Sequence, residues 1–182
     1  MSNPIISLSK LMWKFSEKKS VISFYVLFLF SNTVDFFHPL IVGKILNIIQ
    51  EQGINAENIG FITLLLSGFI ILNVAFWAFH GPGRVIELGN AFNVRSKYKK
   101  YLIDGTMELP AQWHTDHHSG DTIDKINKST DALYKFSSEN FIIIESVLRL
   151  ISSYIALAYF NLHAGYIVLF MIVTTIWLIL KF

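Results

Sequence analysis

Long apolar runs are the feature that most constrains this chain. Residues 21–49, 59–80, 141–160 and 165–182 are each about as long as an α-helix that crosses a bilayer, or longer. Charged residues make up 15% of the 182 residues, whereas a soluble domain carries about 25%. A single soluble globule is therefore excluded. The sequence predicts an all-α integral membrane protein, a helical bundle with about four transmembrane helices.

A short segment with its own helical periodicity precedes the first run. Its apolar residues recur at three- and four-residue spacing, while lysines occupy another side. The apolar set is Ile5, Leu8, Leu11, Met12 and Phe15, and the lysines are Lys10, Lys14 and Lys18. Trp13 beside the lysines favours a helix in the membrane interface over a solvated cap that buries a few residues. Residues 1–19 are therefore predicted to form an interfacial (elbow) helix, and residues 20–182 the membrane domain.

The distribution of basic residues predicts the orientation. Residues 1–20 hold four Lys or Arg and residues 84–135 hold eight, whereas residues 50–58 and 161–163 hold none. Loops rich in Lys and Arg stay on the cytoplasmic side of a membrane. We therefore expect a multi-pass protein of a bacterial inner membrane or a plasma membrane, with its N-terminus and its long middle segment in the cytoplasm.

A long polar segment separates the second and third runs. Helical spacing resumes after Gly81-Pro82-Gly83, where we expect the second helix to be interrupted, and it continues to Leu109. Pro110 ends that pattern, and another starts at Ser119 and leads into the third run. Residues 84–138 are therefore predicted to be a cytoplasmic hairpin of two long helical extensions that meet at a polar turn. Such a hairpin fits coupling to a soluble partner, a passive stalk or a dimerisation coiled coil.

Three short motifs resemble the transmembrane region of ABC exporters, the type with six spans per subunit. Residues 39–47 (PLIVGKILN) are similar to the family's Pro-x-x-x-Gly-x-x-x-Asp at the outer end of span one, with Asn47 in place of Asp. Residues 109–114 (LPAQWH) look like the start of its first coupling helix. Residues 119–126 (SGDTIDKI) are similar to its Thr/Ser-Gly-Asp-Leu-Ile-Ser-Arg-Leu, with Lys125 in the Arg position. Lys and Ser follow where the family often has Asn-Asp.

The resemblance implies a specific role for the polar turn. Residues ~111–118 would form a short coupling helix that docks into a groove on an ATP-binding domain, in the same parent chain or in a separate subunit. Trp113 would be the apolar anchor, with a polar rim of Gln112, His114, Asp116, His117 and His118. Ser119 and Gly120 would form the turn into the next helix, and Asp121 would cap it. The family also implies a homodimer or heterodimer.

The chain lacks the phosphate-binding loop of such exporters, Gly-x-x-x-x-Gly-Lys-Ser/Thr. We therefore predict that the chain alone is not an enzyme and holds no cofactor, and that ATP and Mg²⁺ belong to the expected ATP-binding domain. The family's last two spans are also missing. We expect the N-terminal part of an exporter membrane domain, from a truncated reading frame or a longer protein. The alternative is a small helical membrane subunit that recruits a soluble partner through its hairpin.

The histidines of the polar turn also allow a metal site. His114, His117 and His118 place two imidazoles on one helical face, and Asp116 adds an oxygen ligand. The cluster has no pattern of supporting ligands around it. We therefore predict that these side chains form a docking rim and hold no metal.

Ionisable residues inside apolar runs are candidates for function. Asp35 fits a residue that lines a substrate cavity, and it equally fits a carboxylate that pairs with a neighbouring helix. Glu145 and Arg149, four residues apart, fit a helical ion pair better than a catalytic dyad. Besides the ATP-binding domain the expected partner is membrane lipid, and the net charge of +2 does not indicate nucleic acid. The cargo class stays open between lipidic or amphipathic molecules and peptides.

Overall fold

The computed structural model describes residues 4–181, and within them the chain forms eight helices and no strand. The helices are α1 (Pro4–Phe15), α2 (Lys18–Asp35), α3 (Phe37–Gln52), α4 (Ile59–Met107), α5 (Ala111–Asp116), α6 (Ser119–Ser138), α7 (Asn140–Phe160) and α8 (Leu162–Lys181). The predicted all-α fold is confirmed. Residues 1–3 of the predicted interfacial helix and residue 182 of the predicted fourth span lie outside the described residues.

Four helical segments in this range are long and apolar enough to cross a membrane. They are Lys18–Gln52, Ile59–Met107, Ser119–Tyr159 and Leu162–Ile179, and each overlaps one of the predicted runs. Their length and composition agree with the predicted class, a multi-pass helical membrane protein of about four spans.

The packing of the helices divides the chain into two compact units. Unit 1 contains the residues up to Leu29 together with Phe79–Ile143, and unit 2 contains Phe30–Ala78 and the residues from Ile144 onward. The division falls inside α2, α4 and α7. Unit 1 therefore holds the polar middle of the chain, and unit 2 holds the two short loops between apolar segments.

In unit 1 the apolar face of α1 packs against α4 and α6. Met12 is buried in one cluster with Val94 of α4 and Leu133 of α6. The Phe15 ring lies 5.4 Å from the ring of Tyr98, which extends the same contact. The amphipathic pattern of α1 is therefore satisfied by packing within the unit. The large apolar side chains that α1 leaves exposed are Ile5, Ile6 and Trp13.

A buried glutamate of α4 fixes the break between α6 and α7. Glu87 is fully buried, and its Oε1 accepts a hydrogen bond of 2.9 Å from the backbone N–H of Phe141. The first N–H groups of a helix have no partner inside it, so this carboxylate caps the N-terminus of α7. Arg84 pairs with Glu87, donates to the carbonyl of Ser138 at 2.9 Å and lies 3.8 Å from the Phe141 ring centroid. One Arg–Glu pair thus joins α4 to both sides of the break.

Helix α4 continues through Gly81-Pro82-Gly83, and the predicted interruption there is wrong. Proline removes one N–H from the helical ladder, but neither glycine adopts a positive φ. A Cβ added to Gly83 would lie 2.9 Å from Cε1 of Phe28. Glycine therefore lets α4 approach the buried Phe28 ring of α2 closely, and that packing stabilises the helix across Pro82.

In unit 2 the first apolar run does break, at Phe36 between α2 and α3. The cause is Pro39, since a proline ring clashes with the carbonyl of the fourth residue before it, here Asp35. The side chain of His38 compensates, because its Nδ1 lies 3.3 Å from that carbonyl oxygen. The break therefore lies about one helical turn before the proline.

Two tight connections shape the rest of unit 2. Gly53 follows α3 with φ 65°, a conformation that glycine adopts without strain, and its N–H donates to the carbonyl of Ile49 at 3.0 Å. Asn161 alone separates α7 from α8, and its Oδ1 accepts from the N–H of Ala164 at 3.1 Å. The connection after the third apolar run is therefore a tight turn.

Candidate docking site at the α5 turn

The α5 turn, defined here as residues 108–118, connects the end of α4 to the start of α6. Helix α4 ends at Met107 because a residue that precedes proline avoids the helical conformation. Pro110 is extended, with ψ 149°, and its carbonyl accepts from the N–H of Trp113 at 2.9 Å to start α5. A helix of six residues, Ala111–Asp116, thus lies within the range predicted for the coupling helix.

Trp113 lies against its own chain. Its indole stacks on the ring of His117, with centroids 4.3 Å apart and 12° between the planes, and it meets His114 edge-on at 5.3 Å. The Nδ1 of His117 lies 2.9 Å from the carbonyl oxygen of Trp113 and donates to it, because a carbonyl oxygen only accepts. The predicted anchor residue is therefore half-buried within the turn, while the predicted rim residues are all exposed: Gln112, His114, Asp116, His117 and His118.

An apolar pocket of about 380 Å³ opens beside Trp113. Its walls come from α4, α5 and α6, and they include Ile103, Met107, Trp113, His114, Ile123 and Ile126. Met107 is 74% exposed and Ile123 is 57% exposed. Exposed apolar side chains beside a pocket make this surface a candidate binding site.

The turn into α6 lies at His117 and His118, which corrects the roles expected for the three residues after them. Both histidines have extended backbone, with ψ 123° and 127°, whereas Ser119, Gly120 and Asp121 are the first three residues of α6. His118 is the N-cap residue, and no side chain caps α6 by a hydrogen bond. Gly120 does not have a positive φ, so the turn does not require a glycine there. The Asp121 carboxylate lies in the first turn of α6, where its negative charge stabilises the helix through the helix dipole.

The α5 turn and the helix ends beside it are acidic. Residues 101–124 contain no Lys or Arg. Their acidic residues are Asp104, Glu108, Asp116, Asp121 and Asp124, and all five side chains are exposed. Asp121 and Asp124 pair with Lys125 and Lys128 one helical turn later. Within residues 4–181 the other three acidic side chains have no ion-pair partner.

No group of three or more His, Cys, Asp or Glu side chains among the described residues is placed to hold a metal ion. In the α5 turn the His117 ring stacks on Trp113 and its Nδ1 bonds to a carbonyl, so it does not converge with His114 on one point. His114 and His117 thus pack against the Trp113 indole.

Unit 2 contains a second polar site, formed by residues from four helices, α2, α3, α4 and α7. The Nε of Arg149 lies 3.2 Å from Oδ2 of Asp35, and its NH2 lies 2.8 Å from Oε1 of Glu145. The Nδ1 of His38 lies 3.2 Å from Oδ1 of Asp35, and the Nε2 of His38 lies 3.5 Å from the Nδ2 of Asn73 on α4. The predicted Glu145–Arg149 ion pair is confirmed. Asp35 is in contact with a neighbouring helix, as the packing interpretation of this residue expects.

Two of these arrangements are not visible from sequence periodicity alone. The link between Asp35 and Arg149 has a usable signal, because opposite charges in two apolar runs favour pairing with each other. The capping role of Glu87 has no such signal in the sequence, because Glu87 accepts a hydrogen bond from a backbone N–H of a distant helix.

The described residues thus define an all-helical chain with four helices suited to crossing a membrane and an exposed acidic turn between two long helices. No protein-family model, curated protein or solved structure matches the chain. Its function is therefore inferred from its own residues.

Proposed function

We propose that the chain is a membrane-spanning part of an ATP-driven exporter of the ABC type. In this proposal the apolar helices form part of the translocation pathway, and the α5 turn couples them to an ATP-binding domain that lies outside these residues. The expected working form is a homodimer or heterodimer. The chain itself supplies no catalytic group.

The observation that carries the proposal is the short helix α5. It begins directly after Pro110 and stands between two helices of 49 and 20 residues. Its exposed rim is polar, and a stacked tryptophan lies in its centre. A short helix with these properties has too little surface to fold alone, so its role lies in contact with something else. The resemblance of residues 109–126 to exporter sequences supports an ATP-binding domain as that partner.

The polar site in unit 2 supports the second half of the proposal. Ion pairs are costly at membrane depth and persist there where they face other helices or a water-filled path. Asp35 lies midway along the apolar segment Lys18–Gln52, and its partner Arg149 lies within another such segment. A polar site in this position suits the wall of a translocation pathway.

Photocrosslinking from Gln112 tests the proposal. We expect a benzophenone amino acid at this exposed position of α5, in the full chain in its native membrane, to capture a protein that binds a photoreactive ATP analogue. The matched control carries the same amino acid at Glu57, which is equally exposed but belongs to the loop before α4. The control is expected to capture no ATP-binding protein.

The alternative function makes a different prediction for the same experiment. Capture of a partner that does not bind ATP would favour a small membrane subunit that recruits a soluble protein. Capture from Gln112 at the level of the Glu57 control would contradict both functions.

A further inference from the structure

The α5 turn combines two surface properties that point to the chemistry of its partner. The apolar pocket of about 380 Å³ is open, and its exposed edge consists of Met107 and Ile123. Residues 101–124, which supply most of its lining, include five acidic residues and no Lys or Arg. An apolar cavity takes an apolar group, and a rim of one charge sign attracts the opposite sign.

We infer that the α5 turn is a receptor for a basic protein surface that inserts one large apolar side chain into this pocket. The inference deepens the proposed function and rests on it only in placing a protein partner at the α5 turn. In the coupling-helix expectation, Trp113 would insert into a groove on the partner, and here the direction of insertion is reversed. The cavity belongs to this chain, and the inserted side chain belongs to the partner.

The position of Trp113 supports this direction of insertion. Stacking on His117 holds the indole as one wall of the pocket, so the ring is not free to extend into a groove on another protein. Ile103 and Met107 of α4 and Ile123 of α6 also line the pocket. A partner side chain would therefore contact all three helices at once, and binding would fix their relative positions.

The charge distribution along α4 supports a basic partner. Residues 84–100 of this helix hold five Lys or Arg and one acidic residue, whereas residues 101–108 hold two acidic residues and no basic one. The change in sign occurs where the pocket begins, at Ile103. Asp104, Glu108 and Asp116 have no ion pair within residues 4–181, so their charges remain available to an incoming cation.

Fluorine NMR on the full chain in zwitterionic nanodiscs tests the inference. The probe is a synthetic amphipathic helix of leucine and lysine, and the four tryptophans carry 5-fluorotryptophan. A Trp113→Phe variant identifies the reporter signal. We expect the Trp113 signal to shift and saturate with this peptide. Raising NaCl from about 50 to about 500 mM should weaken the apparent affinity about tenfold, because salt screens exposed charges.

Two control peptides and two pairs of variants separate the contributions. A leucine–glutamate peptide lacks the charge and a lysine–glycine peptide lacks the apolar side chains, and neither should shift the signal. Glu108→Gln with Asp116→Asn should lower the affinity about fivefold. Glu51→Gln with Glu57→Gln makes the same chemical change at exposed positions before α4 and should leave the affinity unchanged. Ile123→Ser, at the exposed edge of the pocket, should also weaken binding.

Four results would overturn the inference. The first is a Trp113 signal that does not move, and the second is an equal shift with the leucine–glutamate peptide. The third is a simultaneous shift of Trp13, Trp77 and Trp177, which would report peptide in the lipid. The fourth is a Trp113 signal that depends on protein concentration without peptide, which would report binding of a second copy of this chain. The peptide experiment needs no ATP-binding protein. It therefore fails or succeeds independently of capture from Gln112, and the two proposals are tested separately.

Discussion

Two carboxylates, Glu87 and Asp35, each contact a residue of α7, which is far away in the sequence. Glu87 is fully buried in unit 1 and binds Arg84 and the start of α7. Asp35 in unit 2 binds Arg149 of the same helix α7. A carboxylate removed from water is costly unless it is paired and hydrogen-bonded. These two residues therefore specify which helices pack together within each unit more sharply than apolar contacts do.

Glu87→Ala is expected to lower the free energy of unfolding by about 2 kcal/mol, because it leaves Arg84 and the N–H of Phe141 without their partner. Glu87→Gln keeps an acceptor oxygen for that N–H and should cost less. Chemical unfolding in detergent, followed by circular dichroism, measures both. Asp104→Ala removes an exposed carboxylate of the same helix and should change stability by less than about 0.5 kcal/mol. Equal losses for Glu87→Ala and Asp104→Ala would contradict the capping role.

A double-mutant cycle measures the contact between Asp35 and Arg149. Asp35→Asn and Arg149→Gln should each destabilise unit 2, and the double variant should lose about 1 kcal/mol less than the sum of the two. Asp35→Asn combined with Arg95→Gln is the control, since Arg95 pairs with Asp131 in unit 1. That combination should be additive. Additivity in the Asp35–Arg149 cycle as well would show that the ion pair contributes no coupling.

At the scale of the helices, Pro39 and Pro82 have opposite outcomes. Pro39 breaks the first apolar run, and the freed carbonyl of Asp35 is met by His38. Pro82 lies inside the continuous helix α4, next to a glycine that packs on Phe28. The consequence of a proline in an apolar helix therefore depends on the packing and polar groups around it.

Alanine substitutions at two glycines of α4 test the role of this close packing. Gly83→Ala should destabilise the chain by about 1–2 kcal/mol, because its Cβ would lie 2.9 Å from the buried Phe28 ring. Gly89→Ala adds the same methyl group to the same helix where nothing lies within 4 Å. This control should stabilise α4 by roughly 0.5–1 kcal/mol, the difference in helix propensity. Thermal unfolding of both variants in one detergent gives the comparison, and the same sign for both would contradict it.

The apolar runs were sufficient to predict the helices, because a bilayer-length run has few alternatives to a helix. The breaks between helices were not predictable in the same way. Pro39 and Pro82 both lie within apolar runs, so the sequence gives the same signal for each. Their effects differ because of their neighbours, the His38 side chain near Pro39 and the Phe28 ring near Pro82. Local spacing carries no information about such contacts, since they depend on the packing of other helices.

The candidate site was predictable in its position and not in its shape. Pro110 and the polar stretch after it place a short helix at the α5 turn, as the structure has it. The inward position of Trp113 depends on stacking with His117, and the pocket depends on the approach of Ile103 to Ile123. These contacts depend on how α4, α5 and α6 pack together. The sequence alone therefore could not show whether the Trp113 side chain points towards a partner or lies against its own chain.

At the scale of the whole molecule, the orientation in the membrane decides whether the α5 turn meets a cytoplasmic partner. The chain contains no cysteine, so single cysteines report accessibility without background. The excess of Lys and Arg in residues 1–20 and 84–135 predicts that both segments lie in the cytoplasm. In intact cells an impermeant maleimide should therefore label cysteine substituted at Glu57 or His163. Cysteine substituted at Lys10 or Gln112 should react only after the membrane is permeabilised.

All four positions are exposed, so a difference in labelling reports the membrane and not burial within the protein. Glu57 and His163 serve as controls for each other, because Glu57 lies in the loop before α4, His163 lies at the start of α8, and both are expected on the same side of the membrane. Labelling of Gln112→Cys from outside would place the α5 turn away from any cytoplasmic ATP-binding domain. That result would exclude the exporter function, while a basic partner outside the cell would still fit the pocket. The labelling experiment therefore tests the exporter function without testing whether the pocket binds a basic partner.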